Sequence, residues 1–241
     1  NPNDSNSLSH NKISCVFEDS NGYLWIGTKG GGLNKIDRTN NEVIRYVHDP
    51  LDKNSICGNY VTGIAQDIDG NIWVGTDNHG GLSKLNPRTN SFTNFKHNPS
   101  DSSSIDINWI YQVFKDDNNN IWIVTAGRRG LYKVSDEKIE PYDTIWPHLP
   151  TIFFKSDNGS IWGRYENFVY KFNAISKEYD KYEFPNFITS IYKVRKFKHD
   201  FLLLVTSNGL IKWNPYTNES KQLVKQQKGN NIIFGDGDCS I

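Results

Sequence analysis

Methionine is absent from this sequence, and cysteine occurs only three times. The missing methionine has no physical account. Cys15, Cys57 and Cys239 are an odd number at unrelated positions. That excludes a disulfide framework and a cysteine-based metal knuckle, and leaves them as small buried or half-buried thiols. Net charge is lacking too. The 27 Lys plus Arg balance 27 Asp plus Glu, so no long-range field draws in nucleic acid or an anionic membrane. No apolar run approaches the roughly 18 residues that mark a membrane span. The opening Asn1-Pro2-Asn3-Asp4-Ser5 is neither basic nor apolar, unlike a secretion signal. Catalytic signatures are missing as well, with no Gly-x-Ser-x-Gly elbow, no His-Glu-x-x-His and no P-loop. The histidines fall mainly in loops without ligand spacing, so neither a metal nor a cofactor is expected.

What the sequence has is a repeat. Asp19-Ser20-Asn21-Gly22-Tyr23-Leu24-Trp25-Ile26-Gly27-Thr28 leads to Gly31-Gly32-Leu33-Asn34-Lys35-Ile36. Asp67-Ile68-Asp69-Gly70-Asn71-Ile72-Trp73-Val74-Gly75-Thr76 leads to Gly80-Gly81-Leu82-Ser83-Lys84-Leu85, and Trp122-Ile123-Val124-Thr125 leads to Gly130-Leu131-Tyr132-Lys133-Val134. Trp25, Trp73 and Trp122 stand 48 and 49 residues apart. Each copy reads as a strand, an Asp/Gly turn, a strand carrying Trp, a glycine turn and a further strand. A period of about 40–50 residues with several short strands per unit is the signature of propeller blades. Trp162 continues the series loosely, with Arg164 and Tyr165 in place of the Gly-Thr pair, and Leu203 takes the tryptophan slot of a fifth unit. Ile233 to Ile241 matches Val16 to Leu24 position by position. The expectation is therefore an all-β fold, a β-propeller of four-stranded antiparallel blades. The chain reads as one propeller region over 1–241, a fragment of about five blades plus the start of a sixth. The units run approximately over 8–53, 54–103, 104–148, 149–186, 187–228 and 229–241.

The sequence of Asp, Gly, Ile/Leu-Trp-Ile/Val-Gly-Thr, Gly-Gly-Leu and Lys resembles the two-component regulator propeller repeat. Trp25-Ile26-Gly27-Thr28 and Trp73-Val74-Gly75-Thr76 carry it closely, and Trp122-Ile123-Val124-Thr125 with one departure. His48-Asp49-Pro50 and Asn54-Ser55-Ile56 resemble that family's inter-blade linker. The resemblance implies a periplasmic sensor region of a hybrid two-component histidine kinase, anchored in the inner membrane by a part not seen in this sequence. It implies remaining blades, a downstream sensor domain and a sensor homodimer as partners, and an oligosaccharide fragment as ligand. Histidine kinase activity would belong to the full-length protein, and no residue of this chain is expected to be catalytic.

Within the repeat, Trp25, Trp73, Trp122 and Trp162 read as core, filling the space between blades. The recurrent Lys35, Lys84, Lys133, Lys171 and Lys212 read as architectural stems packed on a neighbour. Asp67-Ile68-Asp69-Gly70-Asn71 and Asp236-Gly237-Asp238 are turns, because an EF-hand needs a later Gly, a Glu at its end and flanking helices. Paired acids such as Asp116-Asp117 are expected to be solvated in turns. What breaks the repeat is where ligand recognition is expected, on the loops between second and third strands and on the inter-blade crossings. The candidates are Asp77, His79, Arg128, Arg129, Tyr165 and Glu166 on the loops. Trp109, Tyr111, Trp146 and His148 come from the crossings. Arg128 and Arg129 suit a carboxylate or sulfate, through the planar guanidinium fork. Trp109, Tyr111 or Trp146 supply a stacking surface. Scaffolding of the sensor dimer is the other role the resemblance implies, and a propeller-based lyase or glycoside hydrolase and a plain protein-interaction propeller are the competing functions.

Overall fold

The structure, a computed structural model, describes residues 4, 6–77, 79–116, 118–126, 130–135, 138–141, 152–155, 161–172, 178–188, 191–196 and 201–225. The described residues contain no helix. They form five four-stranded antiparallel sheets, each with its strands in sequence order, which is the propeller blade expected from the repeat. The expected start of a sixth unit, 229–241, lies outside the described residues.

Contacts divide the chain into two compact units. The first holds three sheets. They are β1 (Ile13–Glu18), β2 (Leu24–Thr28), β3 (Leu33–Asp37) and β4 (Glu42–Tyr46); β5 (Val61–Gln66), β6 (Ile72–Thr76), β7 (Gly81–Asn86) and β8 (Ser91–Phe95); and β9 (Ile110–Lys115), β10 (Ile121–Thr125), β11 (Leu131–Ser135) and β12 (Lys138–Pro141). The second holds β13 (Ile152–Lys155), β14 (Ile161–Tyr165), β15 (Phe168–Phe172) and β16 (Tyr179–Glu183), and β17 (Ile191–Lys196), β18 (Leu202–Thr206), β19 (Gly209–Trp213) and β20 (Ser220–Lys225).

In the first three sheets the Asp that opens the first hairpin acts twice. One oxygen of Asp67 accepts the backbone N–H groups of Asp69 and Asn71 at 3.0 and 2.8 Å, and the other accepts the indole N–H of Trp73 at 2.8 Å. Asp19 does the same with Asn21, Tyr23 and Trp25, and Asp116 with Asn118, Asn120 and Trp122. The turn needs one positive φ, supplied by Gly22 and Gly70 and, in the third sheet, by Asn119 at 63°. This corrects the expectation that Asp116 is solvated, since it is only 5% exposed. A buried indole N–H needs an acceptor, and the turn carboxylate is the group within reach.

Trp25, Trp73, Trp122 and Trp162 are all buried. In the first unit Trp25 and Leu33 pack on Val61, Ile64, Ile72, Val74 and Leu85 of the next sheet. Trp73 and Leu82 pack likewise on Val113, Ile121 and Ile123. In the second unit Trp162 shares one cluster with Val194, Leu202, Leu204, Ile211 and Trp213. There the indole missing from the Leu203 slot is replaced from the third strand, Trp213 lying 4.8 Å from Phe184. Each recurrent lysine is the cross-strand partner of the tryptophan slot, Trp25 with Lys35, Trp73 with Lys84, Trp122 with Lys133 and Trp162 with Lys171. Opposed residues of an antiparallel pair share a face, so the ammonium of Lys84 sits 5.5 Å from the Trp73 ring and that of Lys171 5.8 Å from the Trp162 ring.

Candidate functional site

The frame of the candidate site is a set of backbone bonds that bring two separated parts of each repeat to one rim. In each sheet of the first unit the second strand ends on a buried threonine, Thr28, Thr76 or Thr125. The next residue donates its N–H to the residue just before the first strand. Lys29 bonds Lys12 O at 2.8 Å, Asp77 bonds Tyr60 O at 2.9 Å and Ala126 bonds Trp109 O at 2.9 Å. The loop between second and third strands therefore lies beside the incoming end of its own sheet's first strand.

The crossings are tied down as firmly. His48 Nδ1 donates to Ile56 O at 2.7 Å and His97 Nδ1 to Ile105 O at 2.8 Å, the tautomer that gives the carbonyl a proton. Asn59 Oδ1 accepts His48 N–H and Asn108 Oδ1 accepts His97 N–H. Ser55 Oγ accepts Asp49 N–H and donates back to Asp49 O, and Ser104 repeats this with Asn98. One linker N–H per repeat lands on the second residue of the third-strand motif. Ser9 N–H meets Asn34 Oδ1, Cys57 N–H meets Ser83 Oγ, and Asp106 N–H meets the Tyr132 hydroxyl. An amide, a hydroxyl and a phenol thus satisfy the same backbone donor. Burial pushes the Cys57 thiol up from its ordinary range, against smaller opposing bonds from Ser83 and Thr76.

On this frame the structure brings Asp77 and His79 to the loop after β6, and places Trp109 and Tyr111 at the start of β9. Gly81, closing that loop, packs beside the Asn108 side chain. His79 is exposed and holds a positive φ of 69°. Trp109 and Tyr111 are 37% and 48% exposed, with ring centroids 5.8 Å apart and planes tilted by 58°, so an aromatic surface faces solvent. Glu166 is exposed at a φ of 49° in the tight hairpin between β14 and β15, in the second unit. Tyr165 ends β14, paired with Phe168. Arg128, Arg129, Trp146 and His148 lie outside the described residues. The sequence reading missed Tyr60, which occupies the position of Trp109 one repeat earlier and carries the Lys29 ammonium 5.8 Å from its ring. Aligning the residues just before each first strand would have found it. Among the described residues no group of three His, Cys, Asp or Glu side chains is placed to hold a metal ion. The rim offers hydrogen-bonding and stacking groups, the chemistry that suits a polar ligand.

Residues 7–30 and 55–78 match the model of the two-component regulator propeller. No curated protein sequence matches the chain. The fold is similar to the extracellular domain of a hybrid two-component system from B. thetaiotaomicron, at 21% identity and a TM-score of 0.74 over 95% of this chain and 31% of that one. A second such domain from B. thetaiotaomicron aligns at 22% identity with a TM-score of 0.55, over 92% of this chain and 36% of that one. The chain thus spans about a third of the length of these extracellular domains. Virginiamycin B lyase from Staphylococcus aureus shares the fold at 14% identity and a TM-score of 0.67, over 90% of this chain and 71% of that one.

Proposed function

We propose that this chain is a non-catalytic, extracytoplasmic sensing propeller of a hybrid two-component signalling protein, because its repeats match the two-component regulator propeller. The observation that carries this is the match of its first two blades to that family's repeat. The full-length protein would be an inner-membrane histidine kinase, with this part on the periplasmic side. Its task would be to recognise a glycan fragment at the rim. Asp77 and His79 would bond hydroxyls, and the Trp109–Tyr111 pair would stack on a pyranose face. Arg128, Arg129, Trp146, His148, Tyr165 and Glu166 are the further candidates. Ligand occupancy would act by favouring one arrangement of the sensor dimer over another, to the extent that it binds the two unequally.

The test is titration of the protein with acidic and neutral oligosaccharides, followed by analysis of the sugar. Saturable binding with the sugar recovered intact, weakened at least tenfold by Trp109→Ala, is the expected result. Turnover of the sugar would overturn the sensing role in favour of a lyase or glycosidase on the same fold. Absence of binding, with self-association instead, would make the region a dimer scaffold.

A further inference from the structure

The first two sheets of the first unit act as internal controls for each other, and at the end opposite the rim they differ. Around the hairpin turns of the second sheet lies an open polar cleft of about 470 Å³, lined by Asn21, Asp69, Asn71, Lys84, Arg88 and Thr93 among others. In the first sheet larger side chains or an ion pair stand at the equivalent positions. Tyr23 stands where the second sheet has Asn71, and the Lys35 ammonium lies 3.6 Å from its ring centroid. Ile44, cross-strand to Lys35, stands where the second sheet has Thr93 opposite Lys84. Glu18 pairs with Arg38. Its counterpart Gln66 is an amide that instead accepts Ser20 N–H at 2.9 Å, tying the first sheet's turn to the second sheet.

The three exchanges leave polar groups, and at the tyrosine and isoleucine positions they also remove bulk. Asn71 is turned into the hairpin, its amide 3.0 Å from Asp67 Oδ2, so it does not occupy the space vacated by the tyrosine. Asn86 Oδ1 accepts Arg88 N–H at 2.9 Å and fixes the turn that carries Arg88. The Arg88 guanidinium makes no ion pair among the described residues. Lys84 and Arg88 provide two positive charges against one from Asp69, and apart from Gly70 and Pro87 the remaining lining side chains are amides and hydroxyls. Amides, a carboxylate and hydroxyls match a polyol, and the surplus cation with its planar fork matches one acidic group.

The geometry points to a second binding site in this cleft for a small polyhydroxylated acid, of the sugar-acid class. Its acidic group bonds Arg88 and its hydroxyls meet Asp69 and the surrounding amides. The site is independent of the rim, which lies at the other end of the strands.

Isothermal titration of the 241-residue protein with D-glucuronate, D-glucose and inorganic sulfate tests it. Glucuronate is expected to saturate, with glucose and sulfate each at least tenfold weaker. Asn71→Tyr restores the filled arrangement of the first sheet and is expected to abolish glucuronate binding. Arg88→Glu, on an exposed side chain whose charge makes no ion pair among the described residues, is expected to do the same even if Asn71→Tyr impairs folding. No saturation by glucuronate, equal binding of glucose or sulfate, or parental affinity in Arg88→Glu would overturn the proposal.

Discussion

At the scale of single residues, the Asp–Trp pair is the connection between local turn and inter-sheet core. Asp116 accepts two backbone N–H groups, the Asn120 amide and an indole within six residues of chain. Asp116→Ala would leave those donors without their acceptor in a buried place and is expected to lose about 1–3 kcal/mol, read by urea denaturation. Trp73→Ala removes a buried aromatic and is expected to cost about 3–5 kcal/mol. A loss under about 1 kcal/mol would take Trp73 out of the core. Cys57 supplies a pH dependence. Its thiol is raised by burial, so the folded state disfavours the thiolate. The stabilisation is complete below the ordinary thiol value of about 8.5 and is lost as pH rises through the higher folded value. The melting temperature should therefore fall in mild alkali, and Cys57→Ser should flatten that fall.

At the scale of elements, the loops are held by backbone geometry that only some residues can take. Gly22 and Gly32 both have positive φ, at 83° and 77°. A Cβ at Gly22 would meet nothing within 4 Å, whereas one at Gly32 would fall 2.2 Å from Tyr46 O. Gly22→Ala should cost only the left-handed penalty of about 1–2 kcal/mol, and Gly32→Ala distinctly more, because a backbone carbonyl has to move. Denaturation midpoints of the two variants decide it. The Asp, Gly and Trp of each hairpin were legible from sequence since they bond to one another within six residues. The inward turn of Asp116 was not legible, because an Asp in a turn reads the same whether its second oxygen meets water or an indole. Trp213 escaped for a related reason. It lies off the repeat's tryptophan slot, and its place in the core depends on the facing sheet.

At the scale of the whole molecule, each of the two units has its own apolar clusters, the first with Trp25 and Trp73 and the second with Trp162 and Trp213. In a repeat architecture stability is close to a sum of nearest-neighbour terms. Trp73→Ala should accordingly lower the hydrogen-exchange protection of β6 and β10 and leave that of β18 and β19 near its parental level. Equal loss in all four strands would show one cooperative block instead. The competing functions are also separated at this scale, since a sensor holds its sugar and an enzyme changes it.

The strands, the hairpin turns and the tryptophan slots follow from the sequence alone. They are set by period-two alternation and by side chains that bond within a few residues, so the chain encodes them locally and writes them again in each repeat. Only the tertiary structure decided that loop and crossing meet at one rim, as when Asp77 N–H reaches Tyr60 O. The same holds for the polar cleft, which Asn21 of one sheet lines together with Asp69 and Arg88 of the next. Those features depend on which sheet faces which, and the side chains that make them carry no periodic mark.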